Sequence, residues 1–208
     1  VLRQPGYSAN RLGDDVLAVI EALKLDRPLL AGHSIAGEEL SSVASRQPQK
    51  VSGLVYFDAA YGYAYYNRDG AMWSVDLAEL HRKLERMLAR PDATLVQELL
   101  NSTLPDFAAD PRQIQNELPA GSADAPPALP FETFAILEGE QKYTSIPAPV
   151  LAIYAAPEGV GPVAQAKAFE KGVPSAHVVM LSGATHYVFQ SNEADVLREM
   201  KAFIESLR

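Results

Sequence analysis

Apolar positions recur at helical spacing in the first part of the chain. Leu12, Val16, Val19, Ile20 and Leu23 form an i, i+4, i+7, i+8, i+11 stripe over residues 9–24, the mark of an amphipathic helix with one buried face. Ser8 stands where an N-cap belongs. After Asp26-Arg27-Pro28 the pattern changes to a short apolar run, Leu29-Leu30-Ala31, which reads as a buried strand. A sharp turn follows, Gly32-His33-Ser34-Ile35-Ala36-Gly37. Glu38 to Gln47 then reads as a helix with Leu40 and Val43 inward, and VSGLVYF (51–57) as a second strand ending at Asp58.

From Ala59 to about Ser145 strand alternation is absent. Tyr61, Tyr63, Tyr65, Tyr66 and Trp73 cluster near the start of this stretch. Leu77, Leu80, Leu84 and Leu88 mark a helix whose other face carries His81, Arg82, Lys83, Glu85 and Arg86. Further helices are expected over 93–100 and 110–118, before a Pro/Ala/Gly loop at 119–130. Strand and helix then alternate again: PVLAIY (149–154), a short helix over 162–171, AHVVML (176–181), and a last helix over 193–207 with Val196, Met200, Phe203, Ile204 and Leu207 on one face. Strands separated by helices predict an α/β fold with a parallel sheet covered on both faces. Three segments are expected: core residues 1–58 with the sharp turn, a helical insertion over 59–145, and core residues 146–208.

Composition narrows the function. The chain has 208 residues, 48% hydrophobic and 21% charged, the balance of one globular domain carrying an insertion. Eighteen Lys and Arg against 26 Asp and Glu give a net charge of −8, which argues against nucleic acid or an anionic membrane as partner. There is no cysteine, so thiol nucleophiles and thiolate metal sites are excluded. No apolar run approaches the length of a membrane span. Arg3, Arg11, Asp14 and Asp15 break up any signal-peptide core, and the expected location is cytoplasmic.

The turn after the first strand carries the candidate chemistry. Gly32-His33-Ser34-Ile35-Ala36 has the form of a G-x-S-x-G nucleophile elbow, with Ala36 where glycine is usual. Small residues two before and two after let the serine adopt a strained conformation between strand and helix. The Ile35 N–H, at the start of that helix, would donate to an oxyanion. A serine nucleophile needs a base. Of the four histidines, His33 lies in the turn itself and is expected to point away, His81 lies on a charged helix face, and His177 begins a strand. His186, in LSGATHY (181–187), follows the last strand at the same carboxyl edge as Ser34. Two carboxylates reach that edge: Asp58 at the end of the second strand, and Glu158 in the AAPEG turn (155–159) after the third. Both satisfy the order Ser, acid, His. The shorter side chain at a strand end favours Asp58, and Glu158 stays the alternative.

With elbow and histidine loop together, the sequence resembles the α/β-hydrolase superfamily, and bacterial esterase-like members in the stretch from Arg11 to Ser34. The resemblance covers essentially the whole chain, read as the later strands of that fold with a helical cap inserted. It implies the acid at Glu158 for most members. It implies Asp58 for a subset that includes the haloalkane dehalogenases, which YFDAAY (56–61) and YAAPEG (154–159) resemble more. Dehalogenase and epoxide hydrolase chemistry needs an aspartate nucleophile, and this position is Ser34. Members carry about 80–100 residues before this point, an estimate from the size of the fold. Those residues supply the first strands and the second oxyanion donor. The chain opens at Val1 rather than Met, and a preceding segment, a separate piece or a second copy is expected to cover the free edge of the first strand.

The expected function is a serine hydrolase of esters with small to medium apolar groups. It would use Ser34, His186, Asp58 or Glu158, and Ile35, with no metal or cofactor. Tyr61, Tyr63 and Trp73 are candidates for a substrate pocket, and their competing role is to pack the cap on the sheet. The alternatives are a non-catalytic ligand-binding or inactive truncated relative, or another reaction of the same fold such as C–C hydrolysis.

Overall fold

The computed structural model describes residues 8–59, 64–66, 73–105, 107–108, 141–156 and 164–207. The chain divides into two compact units, Val1–Ser8 with Ala71–Gln141, and Ala9–Gly70 with Lys142–Arg208. The expected helix over 110–118 and the loop at 119–130 lie outside the described residues, as do Tyr61, Tyr63 and Glu158.

In the second unit the elements run α1 (Ala9–Ala22), β1 (Leu29–His33), α2 (Ala36–Arg46) and β2 (Gly53–Phe57). The first unit supplies α3 (Trp73–Ala89) and α4 (Ala93–Glu98). The second unit then continues with β3 (Val150–Ala156), α5 (Ala164–Gly172), β4 (Ala176–Ser182), α6 (Val188–Ser191) and α7 (Glu193–Ser206). The four strands are parallel and lie in chain order, β1-β2-β3-β4. Their register is Leu29 opposite Gly53, Leu54 opposite Val150, and Val150 opposite Ala176. Every strand therefore ends at one edge, where the loops that follow Phe57, Ala156 and Ser182 begin.

The period-two alternation of the strands sorts the core into two layers. Leu54, Tyr56, Val150, Ala152 and Tyr154 face one way and pack with Leu40, Val43 and Ala44 of α2, with Ala166 and Phe169 of α5, and with Val173 just after it. Val55, Leu151, Ile153, Ala155 and Leu181 face the other way and meet Val188, Val196 and Phe203 of α6 and α7. β2 and β3 are covered on both faces, which explains their almost unbroken apolar sequences. A fully buried side chain of the size of Phe169 contributes about 1.5–3 kcal/mol. Such packing stabilises α5, whose nine residues are too few to hold a helix in water alone. A polar pair lies within this core. Ser41 Oγ and Tyr56 Oη lie 3.0 Å apart and satisfy each other, and burial pushes the Tyr56 phenol above its ordinary value.

Three expectations are corrected. β1 is less buried than expected: among the described residues it pairs only with β2, its residues are half-buried, and Ala31 is exposed. The second strand starts at Gly53 rather than Val51, because Pro48–Lys50 forms a 3₁₀ turn and the Ser52 N–H bonds Pro28 O at 3.1 Å outside the ladder. The first helix stops at Ala22. Lys24 takes φ 52°, its N–H bonds Glu21 O, and the Leu25 N–H bonds Ile20 O. These are the paired bonds of a Schellman cap, with lysine where glycine is usual.

The described part of the first unit is helical. Asp92 caps α4 by accepting from the Thr94 N–H at 2.8 Å, and Leu99–Thr103 continue as a π-helical turn. Lys83 of α3 donates to Thr103 Oγ1 at 2.7 Å and pairs with Glu79 at 2.6 Å. Among the described residues no helix is long and apolar enough to cross a membrane.

Candidate active site

The ladder between β1 and β2 runs one residue past β1 before the chain turns. The Ser34 N–H bonds Phe57 O at 3.3 Å, and Ser34 then takes φ 55°. That left-handed conformation costs energy for a side-chain-bearing residue and is held by what surrounds it. The Gly37 N–H closes the turn onto Ser34 O at 3.0 Å, and α2 begins at Ala36. The turn is tight enough to admit only one Cβ across it. A Cβ on Gly32 would lie 2.9 Å from that of Ala36, so glycine at 32 is what lets alanine stand at 36. Ile35 occupies the N-cap position of α2. Its N–H has no backbone acceptor among the described residues, as is usual for the first amides of a helix, and it lies at the positive end of the helix dipole.

Asp58 ends β2 by the same device. Its N–H continues the ladder to Ile153 O at 2.7 Å, and its backbone takes φ 45°, a region that aspartate tolerates better than most residues. The carboxylate then takes over as acceptor for the neighbouring strand, with Oδ1 receiving the Ala155 N–H at 3.1 Å. Oδ2 is left for His186, whose Nδ1 lies 2.7 Å away. A carboxylate only accepts, so Nδ1 carries the proton, and in the neutral ring Nε2 is the acceptor nitrogen. The Asp58 side chain is mostly buried, while that of His186 is 39% exposed. The His186 ring therefore opens to solvent while the Asp58 carboxylate does not.

The histidine loop is anchored at several points. Gly183, at φ 70°, sends its N–H to Ala156 O at 2.9 Å. The Thr185 N–H bonds Ser191 Oγ at 3.1 Å. His33 Nε2 donates to the main-chain oxygen of His186 at 2.9 Å. The His33 ring also lies 4.4 Å from that of His186, stacks on Tyr187 at 5.0 Å and meets Phe189 edge-on at 5.3 Å.

The structure thus brings together His186 and Asp58, and ties His186 to the residue before Ser34. His177 is exposed and beside Glu199 at 3.6 Å, and His81, in the other unit, is exposed and beside Glu85 at 3.7 Å. Trp73 begins α3 in the other unit. Two residues escaped the sequence reading. His33, expected only to point away from the target of Ser34, bonds the histidine loop; its position directly before the serine was the available signal. Gly37 approaches the backbone so closely that a Cβ there would lie 1.8 Å from Ala59 O, next to Asp58. The second of two small residues after the elbow was the hint.

The sequence profile of the alpha/beta hydrolase family matches residues 3–199. Over 211 aligned residues the chain is 24% identical to a 2-(acetamidomethylene)succinate hydrolase of Mesorhizobium japonicum, covering 98% of this chain and 73% of that one. Over 45 residues it is 49% identical to a carbendazim hydrolyzing esterase of a Nocardioides species, covering 22% of this chain and 19% of that one. Among solved structures it is similar to a thermophilic esterase from Thermogutta terrifontis with malate bound, with a TM-score of 0.56, 17% identity, and coverage of 98% and 74%. A parallel sheet that turns through a serine into a helix, with the family profile running through nearly its whole length, leaves one conclusion: the chain belongs to the alpha/beta hydrolase family.

Proposed function

We propose that this chain is a serine hydrolase that cleaves carboxylic esters with small to medium apolar groups through an acyl-enzyme. The observation that carries the reading is the His186 Nδ1–Asp58 Oδ2 bond of 2.7 Å at the sheet edge where β1 turns through Ser34 at φ 55°. Ser34 Oγ attacks the ester carbonyl carbon while His186 Nε2 takes its proton. The tetrahedral oxyanion accepts from the Ile35 N–H, a type of contact whose removal costs about 3 kcal/mol of barrier. Protonated His186, stabilised by the Asp58 carboxylate, gives its proton to the leaving alcohol. The same histidine then deprotonates the water that releases the acid. Ile35, Tyr187 and Phe189 stand exposed around these groups, which supports an apolar substrate. A serine at position 34 speaks against epoxide opening and dehalogenation through an aspartyl ester. The matched relatives named as a hydrolase and an esterase agree with the reaction class.

Turnover of p-nitrophenyl esters of increasing acyl length, together with labelling by a fluorophosphonate, tests this. One phosphonyl group per chain, mapped to Ser34, and loss of both signals in Ser34→Ala and His186→Ala are expected. A folded protein that neither labels nor turns over any ester would leave ligand binding without catalysis. Full activity in Ser34→Ala would end the reading.

A further inference from the structure

We propose that His33 is a positioning residue that sets the separation between Ser34 and His186. This rests on the reading of those two residues as nucleophile and base. His33 Nε2 donates to the main-chain oxygen of His186 at 2.9 Å, across 153 positions of sequence. His33 and Ser34 are consecutive, so their Cα atoms lie about 3.8 Å apart. A bond from residue 33 to the backbone of residue 186 therefore ties the base directly to the strand end that carries the nucleophile. Asp58 holds the other end of His186, through the ring nitrogen Nδ1. The two contacts divide the task. Asp58 sets the tilt and tautomer of the imidazole, and His33 sets where its backbone stands relative to the elbow.

The surroundings of His33 suit this role. Its ring is held between Tyr187 and Phe189 while touching His186, so its donor nitrogen cannot swing freely. It is the last residue of β1, in register with Phe57, one position before Asp58. Nucleophile, acid and base are thus all referred to one pair of strand ends. The donor must be an N–H, because the atom it meets is a carbonyl oxygen. A ring without a donor keeps the stacking and loses the tie. An amide with a donor keeps the tie and loses the stacking.

That difference is the test. His33→Phe preserves the aromatic contacts and removes the N–H. His33→Gln presents an amide N–H at a similar reach. Misplacing a reacting group by about 1 Å costs on the order of 100-fold in rate. His33→Phe is therefore expected to lower kcat for a p-nitrophenyl ester by about 10- to 100-fold with KM nearly unchanged, and His33→Gln to restore most of it. A second readout needs no substrate. The Nδ1 proton of His186, shared with Asp58, gives a far-downfield proton resonance, identified by its loss in His186→Ala. It should be sharp in the natural protein, broadened or shifted in His33→Phe, and recovered in His33→Gln. Wild-type kcat and an unchanged resonance in His33→Phe would overturn the proposal. So would an equal loss in both variants, which would make His33 a packing residue. If the natural protein turns over no ester but the resonance follows the expected pattern, the positioning role stands and the hydrolase reading fails.

Discussion

Gly37→Ala probes how the elbow helix and the acid strand end constrain one another. Gly37 lies in the first turn of α2, where alanine would favour the helix by about 1 kcal/mol. The added Cβ would stand 1.8 Å from the main-chain oxygen of Ala59 and 3.1 Å from the Cβ of Ala64. Ordinary contact begins at 3.4 Å, so one backbone must retreat by about 1.6 Å. No side-chain rotation relieves a clash with a carbonyl oxygen. Overpacking of this kind costs about 1–3 kcal/mol, and a backbone partner puts it at the upper end. The net loss is then about 2 kcal/mol, or a Tm lower by roughly 4–8 °C for a chain of this length. Ala59 directly follows Asp58, so the retreat also drags the carboxylate that holds His186 Nδ1 at 2.7 Å. A displacement near 1 Å there lowers kcat on the order of 100-fold. Thermal unfolding followed by circular dichroism reads the first effect, and ester turnover well below the transition reads the second. A Gly37→Ala protein that is more stable than the natural one, with unchanged kcat, would refute the reasoning, because helix propensity would then have outweighed the contact.

Other substitutions address separate links. Asp58→Asn should lower kcat by about 10⁴-fold, since the amide favours the wrong imidazole tautomer; Glu158→Gln measured beside it identifies the carboxylate by the larger loss. Lys24→Gly should stabilise the chain by about 0.5–1 kcal/mol by relieving a left-handed lysine, read as a higher midpoint in urea, and an unchanged or lower midpoint would contradict it. Burial pushes the Glu39 carboxyl above its ordinary 4.5. The folded state then holds that proton more tightly than the unfolded state, so its stabilising effect is full below pH 4.5 and is lost as pH rises through the raised value. Glu39→Gln should therefore gain in Tm over the natural protein as pH rises through that window and match it in acid; a constant difference at all pH values would rule this out.

Much of the architecture was legible because it is written in local periodicity. The helix over Ala9–Ala22 and the runs GLVYF and VLAIYAA are visible in any short window, although the face the helix buries is set by Ala9, Gly13 and Ile20, and Val19 and Leu23 of the expected stripe are exposed. Glycine at 32 and alanine at 36 around Ser34 are likewise a local demand, since the turn leaves room for a single Cβ. Boundaries were less legible. The helix ending at Ala22 and the strand starting at Gly53 depend on Lys24 adopting φ 52° and on Ser52 bonding Pro28, and neither choice shows in hydrophobic spacing.

What the sequence by itself determined is the alternation of strand and helix, the strained serine turn and the presence of a histidine at the same sheet edge. Each follows from neighbours within a few positions. What only the tertiary structure decided is who meets whom across that edge. Asp58 and His186 are 128 residues apart, and His33 and His186 are 153 apart. Their contacts exist because four parallel strands in chain order bring the ends of β1 and β2 and the loop after β4 to one edge. Local propensity carries no information on such distances, whereas the register of the strands, set by packing on both faces of the sheet, fixes them to within a hydrogen bond.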